Sequence, residues 1–156
     1  MFSLARSWIE TCRREHKACN VRRVPDSLPT RLIDIGLASS EERIRPHLID
    51  TKDYLSEGVH DYVALSHCWG TTSGTQVSKT LKANLIQRTD SIEWDEMTKT
   101  FQDAFMITRG LGLRYVWIDS LCIIQDVEED FLIECAKMGL VYANAYCTLA
   151  VCFRTS

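Results

Sequence analysis

Residues 114–134 read RYVWIDSLCIIQDVEEDFLIE, and the fold turns on how this stretch is read. Tyr115-Val116-Trp117-Ile118 is a short apolar run of the kind that forms a buried strand. It stops abruptly at Asp119-Ser120. The acidic residues Glu128, Glu129 and Asp130 follow, a composition suited to the first turn of a helix, whose free N–H groups favour negative charge. A strand that ends in polar residues and feeds a helix is the unit from which α/β proteins build ligand sites, in the crevice at the carboxyl ends of the strands.

One carboxylate on that helix is out of place. With about 100° between successive residues and Phe131 taken as zero, Cys135, Met138, Tyr142 and Ala145 fall within about 40° and define the expected core-facing stripe. Glu134 lies about 60° to one side, with Val141 beyond it at about 80°, so it falls inside the apolar arc. Glu129, Lys137 and Asn144 fall outside. A carboxylate held partly away from water needs a partner or a hydrated cleft. Two readings follow: a catalytic or ligand-gripping group facing the strand ends, or half of a structural ion pair with Arg109 or Arg114. Leu132, Ile133 and Leu140 make the other side of the helix apolar too, which fits burial on two faces or a partner contact.

Working outward, residues 98–109 carry a helical stripe of Phe101, Ala104, Phe105, Thr108 and Leu111, with Gly110 and Gly112 as a C-cap. Asp61 to His67 is a second strand ending in polar residues, residues 78–88 a helix, residues 127–145 the longest helix and Tyr146 to Cys152 a third strong strand. Gly70 to Thr75 is a Gly/Ser/Thr loop. This alternation predicts an α/β domain with a parallel sheet flanked by helices, flavodoxin-like in class. Upstream, residues 4–20 read as a helix with Trp8, Cys12, His16 and Cys19 on one face. Arg22 to Thr30 is a Pro-containing linker, Thr30 to Ile35 a short strand, and residues 36–60 a loop-rich region. The expected organisation is an N-terminal helical extension and linker over 1–30, then one domain over 31–156.

A chain of 156 residues suits one domain, and its 46% apolar and 25% charged content is that of a soluble globular protein. A net charge of -3 with no Lys/Arg stripe argues against nucleic acid as a partner. No stretch is apolar enough to suggest a membrane span. The early charges of MFSLARSWIETCRREH do not suit a signal peptide, so the seven cysteines read as reduced thiols and the expected location is cytoplasmic.

Three further groupings bear on chemistry. Ser66-His67-Cys68-Trp69-Gly70 would line the same crevice as Asp119 and Ser120, with Trp69 able to stack on a flat ring; a core tryptophan beside a loop is the plain alternative. No dinucleotide or Walker fingerprint is present. Cys12, His16 and Cys19 are three possible zinc ligands, but a structural zinc takes four, commonly from separate elements, so no metal is expected and thiols packed on the core are the alternative. Cys122 with His67 could form a nucleophile pair, although a thiol in the apolar run Cys122-Ile123-Ile124 is expected to be inert.

Three motifs in order carry a family resemblance: Tyr62-Val63-Ala64-Leu65-Ser66-His67-Cys68-Trp69-Gly70; Lys99 to Ala104 continuing through Arg109 to Asp126; and Glu129-Asp130-Phe131 through Glu134 and Tyr142 to Ala150. Over residues 60–151 the chain resembles the fungal heterokaryon incompatibility (HET) domain, and Leu28 to Asp34 is similar to the lead-in of such proteins. Met97-Thr98 stands where the family often has Leu-Pro, and Phe131 where it usually has Trp. The resemblance implies a cell-death effector and, more distantly, a Toll/interleukin-1 receptor (TIR)-like fold. In enzymatic members of that fold a glutamate serves NAD+ cleavage, and by position it is Glu134. The implied site is Glu134 as catalytic residue, with Ser66, His67, Trp69, Asp119 and Ser120 shaping the substrate pocket. NAD+ or a related nucleotide is then the substrate, no separate cofactor is needed, and a homo-oligomer forms on activation. The rival implication is a non-catalytic module that signals by self-association.

Overall fold

The structure is a computed structural model that describes residues 2–17, 19, 28–36, 43–54, 60–68 and 78–151. An N-terminal helix α1 (Phe2–Glu15) is followed by strands β1 (Arg31–Asp34) and β2 (His47–Asp50), a helical turn α2 (Thr51–Tyr54) and strand β3 (Tyr62–Ser66). Helices α3 (Leu85–Asp90) and α4 (Lys99–Gly110) lead to strand β4 (Tyr115–Ile118). The turn α5 (Asp119–Cys122), helix α6 (Glu128–Asn144) and strand β5 (Cys147–Ala150) complete the order. The five strands form one sheet in the order β2-β1-β4-β3-β5. Among the described residues, no helix is long and apolar enough to cross a membrane.

The three strands expected to be parallel are parallel. β3 pairs with β4 (Val63 opposite Val116) and with β5 (Val63 opposite Cys147). The sheet as a whole is mixed, which corrects the expectation of a parallel sheet. β1 runs antiparallel to both β4 and β2. The reason is visible in the strands themselves. Residues 31–34 read RLID and residues 47–50 read HLID, a repeated four-residue pattern whose apolar pairs, Leu32-Ile33 and Leu48-Ile49, are all buried. Two such strands in succession without a crossover helix pair antiparallel. The second lies in the region expected to be loop-rich, because four residues are too few to show a period.

Local chemistry explains most helix boundaries. The Thr98 side chain accepts from the Phe101 N–H and caps α4, while Met97 beneath it is buried. Phe101, Ala104, Phe105, Thr108 and Leu111 form the buried stripe read from the sequence. Phe101 and Phe105 are fully buried, worth roughly 2–3 kcal/mol each in apolar surface. α4 ends at Gly110, and Gly112 takes the positive φ of 80° that turns the chain into β4. α3 begins only at Leu85, because residues 78–81 bridge to the loop after β4: the Thr80 N–H donates to Ser120 O and the Gln125 N–H to Thr80 O, both at 2.9 Å.

α1 lies at the amino ends of the parallel strands. The Phe2 ring covers Gly110, leaving no room for a Cβ there. Arg6 donates to Gly110 O at 2.8 Å, and Arg13 faces Asp61 at 3.7 Å and the Tyr146 ring at 4.6 Å. The helix stops at Glu15, short of the expected residue 20. The opposite ends of β3, β4 and β5 are therefore the ones left to loops and to the start of α6. The linker residues 20–27 and the loop at Gly70 to Thr75 lie outside the described residues.

Candidate functional site

α6 is anchored across the sheet by its tyrosine partners. Tyr62 donates to Val141 O at 2.5 Å, and Tyr142 donates to Leu65 O at 3.3 Å while meeting Trp117 edge-on at 5.4 Å. These contacts set the helix rotation. Its buried residues are Glu134 and Val141, whereas Phe131, the expected centre of the core stripe, is 42% exposed. The buried face is thus turned toward Glu134. At 2% exposure, Glu134 sits near the centre of that face, not at its margin.

Glu134 is met from a distant part of the chain. The Thr30 hydroxyl donates to Glu134 Oε1 at 2.5 Å, and Lys137 Nζ lies 3.4 Å from the same oxygen and 3.3 Å from Thr30 Oγ1. Arg114 is engaged elsewhere, by Asp34. One turn before Glu134, Asp130 takes both arms of Arg31, whose guanidinium also donates to Cys122 O at 3.0 Å. The Ile124 N–H adds a third bond to Asp130 at 2.8 Å. Burial works against the Asp130 charge, but Arg31 and the Ile124 N–H more than offset it and hold the carboxyl below its ordinary range. Two cations, Arg31 and Lys137, and two carboxylates, Asp130 and Glu134, thus meet where β1 starts and β4 ends.

The second half of the expected site lies at the same strand ends. Ser66 is the exposed last residue of β3. His67 follows, its side chain 5% exposed, edge-on to Phe101 at 5.0 Å, with Nδ1 3.9 Å from Asp119 Oδ1. Among the described residues, neither ring nitrogen has a hydrogen-bond partner. Burial pushes the imidazole below its ordinary value and Asp119 opposes this only in part, so the ring is neutral near pH 7. Ser120 is fully buried, its Oγ without a partner among the described residues and its backbone N–H held by Asp119 Oδ1 at 2.7 Å. Trp69 lies outside the described residues. Cys122 connects the halves. Burial pushes its thiol up to about 12, and Asp119 and Glu134 both add to this against Arg31. A thiol at that value carries no useful thiolate at neutral pH, so it is no nucleophile in this state.

Sequence reading missed Thr30, Arg31, Asp130 and Lys137. Asp130 and Lys137 had a signal, since both stand within one turn of Glu134 on the same side of α6. Arg88 was missed as well: it is 7% exposed, donates to Ser78 Oγ at 3.0 Å and has no partner for Nε among the described residues. At the far end of the molecule, Cys12, His16 and Cys19 do come together, but not on one helix face. The thiols of Cys12 and Cys19 are 3.3 Å apart, which pushes Cys12 up, and His16 Nδ1 is 3.2 Å from Cys12 Sγ.

A family model described as "Heterokaryon incompatibility protein (HET)" matches residues 62–155, more than half of the 156-residue chain. The chain belongs to the heterokaryon incompatibility family. No curated protein and no solved structure gives a significant match. The HET match begins at the first residue of β3, so Thr30 and Arg31, which face Glu134 and Asp130, come from outside it. They nevertheless belong to the same sheet, because β1 pairs directly with β4.

Proposed function

We propose that this HET domain is an effector of fungal incompatibility that kills by cleaving NAD+ at the nicotinamide–ribose bond, on a distantly TIR-like scaffold. The single observation that carries the reading is the burial of Glu134 at the carboxyl ends of the strands, held by one hydroxyl and one swinging amine instead of a closed arginine pair. Arg31 is committed to Asp130 next door, so it does not neutralise Glu134 directly. Lys137 is 47% exposed and can leave, which frees the carboxylate for ribose hydroxyls. As the C1′–N bond breaks, Glu134 would stabilise the oxocarbenium-like ribose, and water would add at C1′ to give nicotinamide, ADP-ribose and a proton. Ser66, the neutral His67, Trp69, Asp119 and Ser120 would shape the rest of the pocket. Purified protein incubated with NAD+ should release nicotinamide. A folded protein without turnover, even at high concentration, would remove this reading.

A second observation favours a role for self-association. Phe131, Leu132, Ile133 and Leu140 on α6 are 42%, 60%, 46% and 60% exposed, an apolar surface beside the site. Assembly through it would join copies by the exposed side of α6, opposite the face that buries Glu134, with or without catalysis. Leu132→Glu with Leu140→Glu should hold the protein monomeric in sedimentation at concentrations where the parent assembles. Unchanged assembly would dismiss the α6 surface.

A further inference from the structure

The cysteine and histidine cluster at the end of α1 stands apart from the site above. α1 ends at Glu15, and the chain then folds back on itself: the His16 N–H donates to Cys12 O and the Cys19 N–H to His16 O, each at 3.0 Å. This turn carries Cys19 past the helix end and returns its side chain to Cys12. The donor atoms of Cys12, His16 and Cys19 all lie within 4.8 Å of one another. The sequence predicts no metal because a structural zinc takes four ligands, commonly from separate elements, and one helix offers only three. Here Cys12 comes from the last turn of the helix, and His16 and Cys19 come from the residues beyond its end, so the three donors converge.

Packing does not account for the cluster. None of the residues of α1 is buried; Cys12 is half-buried, and His16 and Cys19 are exposed. Thiols used as small apolar fillers belong in a core, and these are not in one. We infer that Cys12, His16 and Cys19 bind a zinc ion, through two thiolates and the imidazole Nδ1. The dimensions fit. Zinc with sulfur at about 2.3 Å and nitrogen at about 2.1 Å sets tetrahedral edges of about 3.6–3.8 Å. The observed edges of 3.2 and 3.3 Å, with none longer than 4.8 Å, reach those values by small side-chain rotations. Two soft sulfurs and one imidazole are the donor set zinc takes, while magnesium and calcium prefer oxygen. Among the described residues no further His, Cys, Asp or Glu joins the group, so these three are the protein donors assigned. Binding releases two protons, one from each thiol, and the imidazole binds neutral.

The consequence is structural. α1 is held to the domain chiefly by Phe2 on Gly110, Arg6 on Gly110 O and Arg13 at Asp61 and Tyr146. A zinc ion would lock the turn after the helix and fix the direction in which the chain leaves it.

The test uses the whole chain, purified under reducing conditions, with metal content measured by mass spectrometry and Co(II) used as a spectroscopic stand-in for zinc. One zinc per chain is expected, with the visible d–d bands of tetrahedral, thiolate-ligated Co(II). Cys12→Ser and Cys19→Ser should each weaken zinc binding by more than about tenfold, since even outer partners of a metal site are worth that much. His16→Cys keeps three soft donors and should retain the metal, as should Cys68→Ser, which alters a thiol elsewhere. Circular dichroism on each variant separates metal loss from unfolding. A folded wild type with substoichiometric zinc, zinc retained in both serine variants, or a Cys12–Cys19 disulfide in freshly isolated protein would each overturn the assignment.

Discussion

Strand β1 reads Arg31-Leu32-Ile33-Asp34, and its two ends carry the same pair of groups in opposite order. At the start, Arg31 grips Asp130 of α6, and both side chains are nearly sealed, at 13% and 15% exposure. At the finish, Asp34 accepts two bonds from Arg114, 2.8 and 2.5 Å, but Arg114 remains 42% exposed. Asp34 also receives the Gly36 N–H at 2.9 Å and has His47 at 3.9 Å. Asp34 is itself buried, so these two groups, and not bulk water, back up what Arg114 supplies. Asp130 has only the Ile124 N–H besides Arg31 among its described hydrogen bonds. One end of β1 is a surface clasp on the sheet. The other is a sealed charge cluster adjoining Glu134. The difference lies in the cation: α6 starts over Arg31, whereas the Arg114 guanidinium is open to solvent above a buried Asp34.

The contrast is sharpest in mutants. Arg31→Ala leaves a desolvated carboxylate behind and should cost about 3–5 kcal/mol in denaturant unfolding. Arg114→Ala should cost less, because the buried Asp34 keeps the Gly36 N–H and the neighbouring His47, and removing the half-exposed guanidinium lets water reach it. Equal losses would break the comparison.

Glu134→Gln comes next. It keeps the shape and the Thr30 bond but removes the charge, so turnover of NAD+ should fall by about 10²–10³, or about 3–4 kcal/mol in the barrier. Stability should move by about 1 kcal/mol or less, since the lost partner Lys137 is half exposed. The opposite outcome, intact activity per folded molecule and lowered stability, makes Glu134 half of a structural pair.

Acid titration gives a smaller and more local effect. The folded-state value of His67 is lowered from 6.5, so the unfolded chain takes up a proton first. His67 therefore contributes stability that is present above pH 6.5 and declines as the pH falls below it. Asp130 is also lowered, from 3.8, so its contribution is present above that pH and declines below it. His67→Phe should remove the first limb of the stability profile and leave the second. Arg31→Ala should flatten the second. Two coincident limbs, or none, would show that other groups dominate.

The smallest change is expected at α1. Arg13→Ala removes an exposed ion pair of 3.7 Å and a ring contact, and should cost no more than about 1 kcal/mol. A larger loss would mean that the amino ends of the strands depend on α1 more than its exposure suggests.

Much of the frame was legible because it is periodic. The stripe from Phe101 to Leu111 and the strand Tyr115 to Ile118 announced themselves by repeats of 3.6 residues and by unbroken apolar runs. β2 was not legible alone, since His47 to Asp50 spans only four residues and shows its meaning only beside Arg31 to Asp34. The rotation of α6 was misjudged by the angle between Phe131 and Glu134. Tyr62 and Tyr142 set that rotation, and their bonds to Val141 O and Leu65 O are not properties of the helix sequence.

By itself, the sequence determined that three strands alternate with helices, that a carboxylate sits on the apolar side of the last helix, and that the motifs are those of a heterokaryon incompatibility protein. These are local patterns, set by backbone geometry and the cost of leaving apolar surface in water. Only the tertiary structure decided what answers the carboxylate. Thr30 lies 104 positions from Glu134, and Arg31 lies 99 from Asp130. They meet because β1 pairs antiparallel with β4, which carries its first residues to the end where β4 finishes. A buried charge demands a partner, but chain pairing across the sheet, not its own neighbourhood in sequence, selects which one it gets.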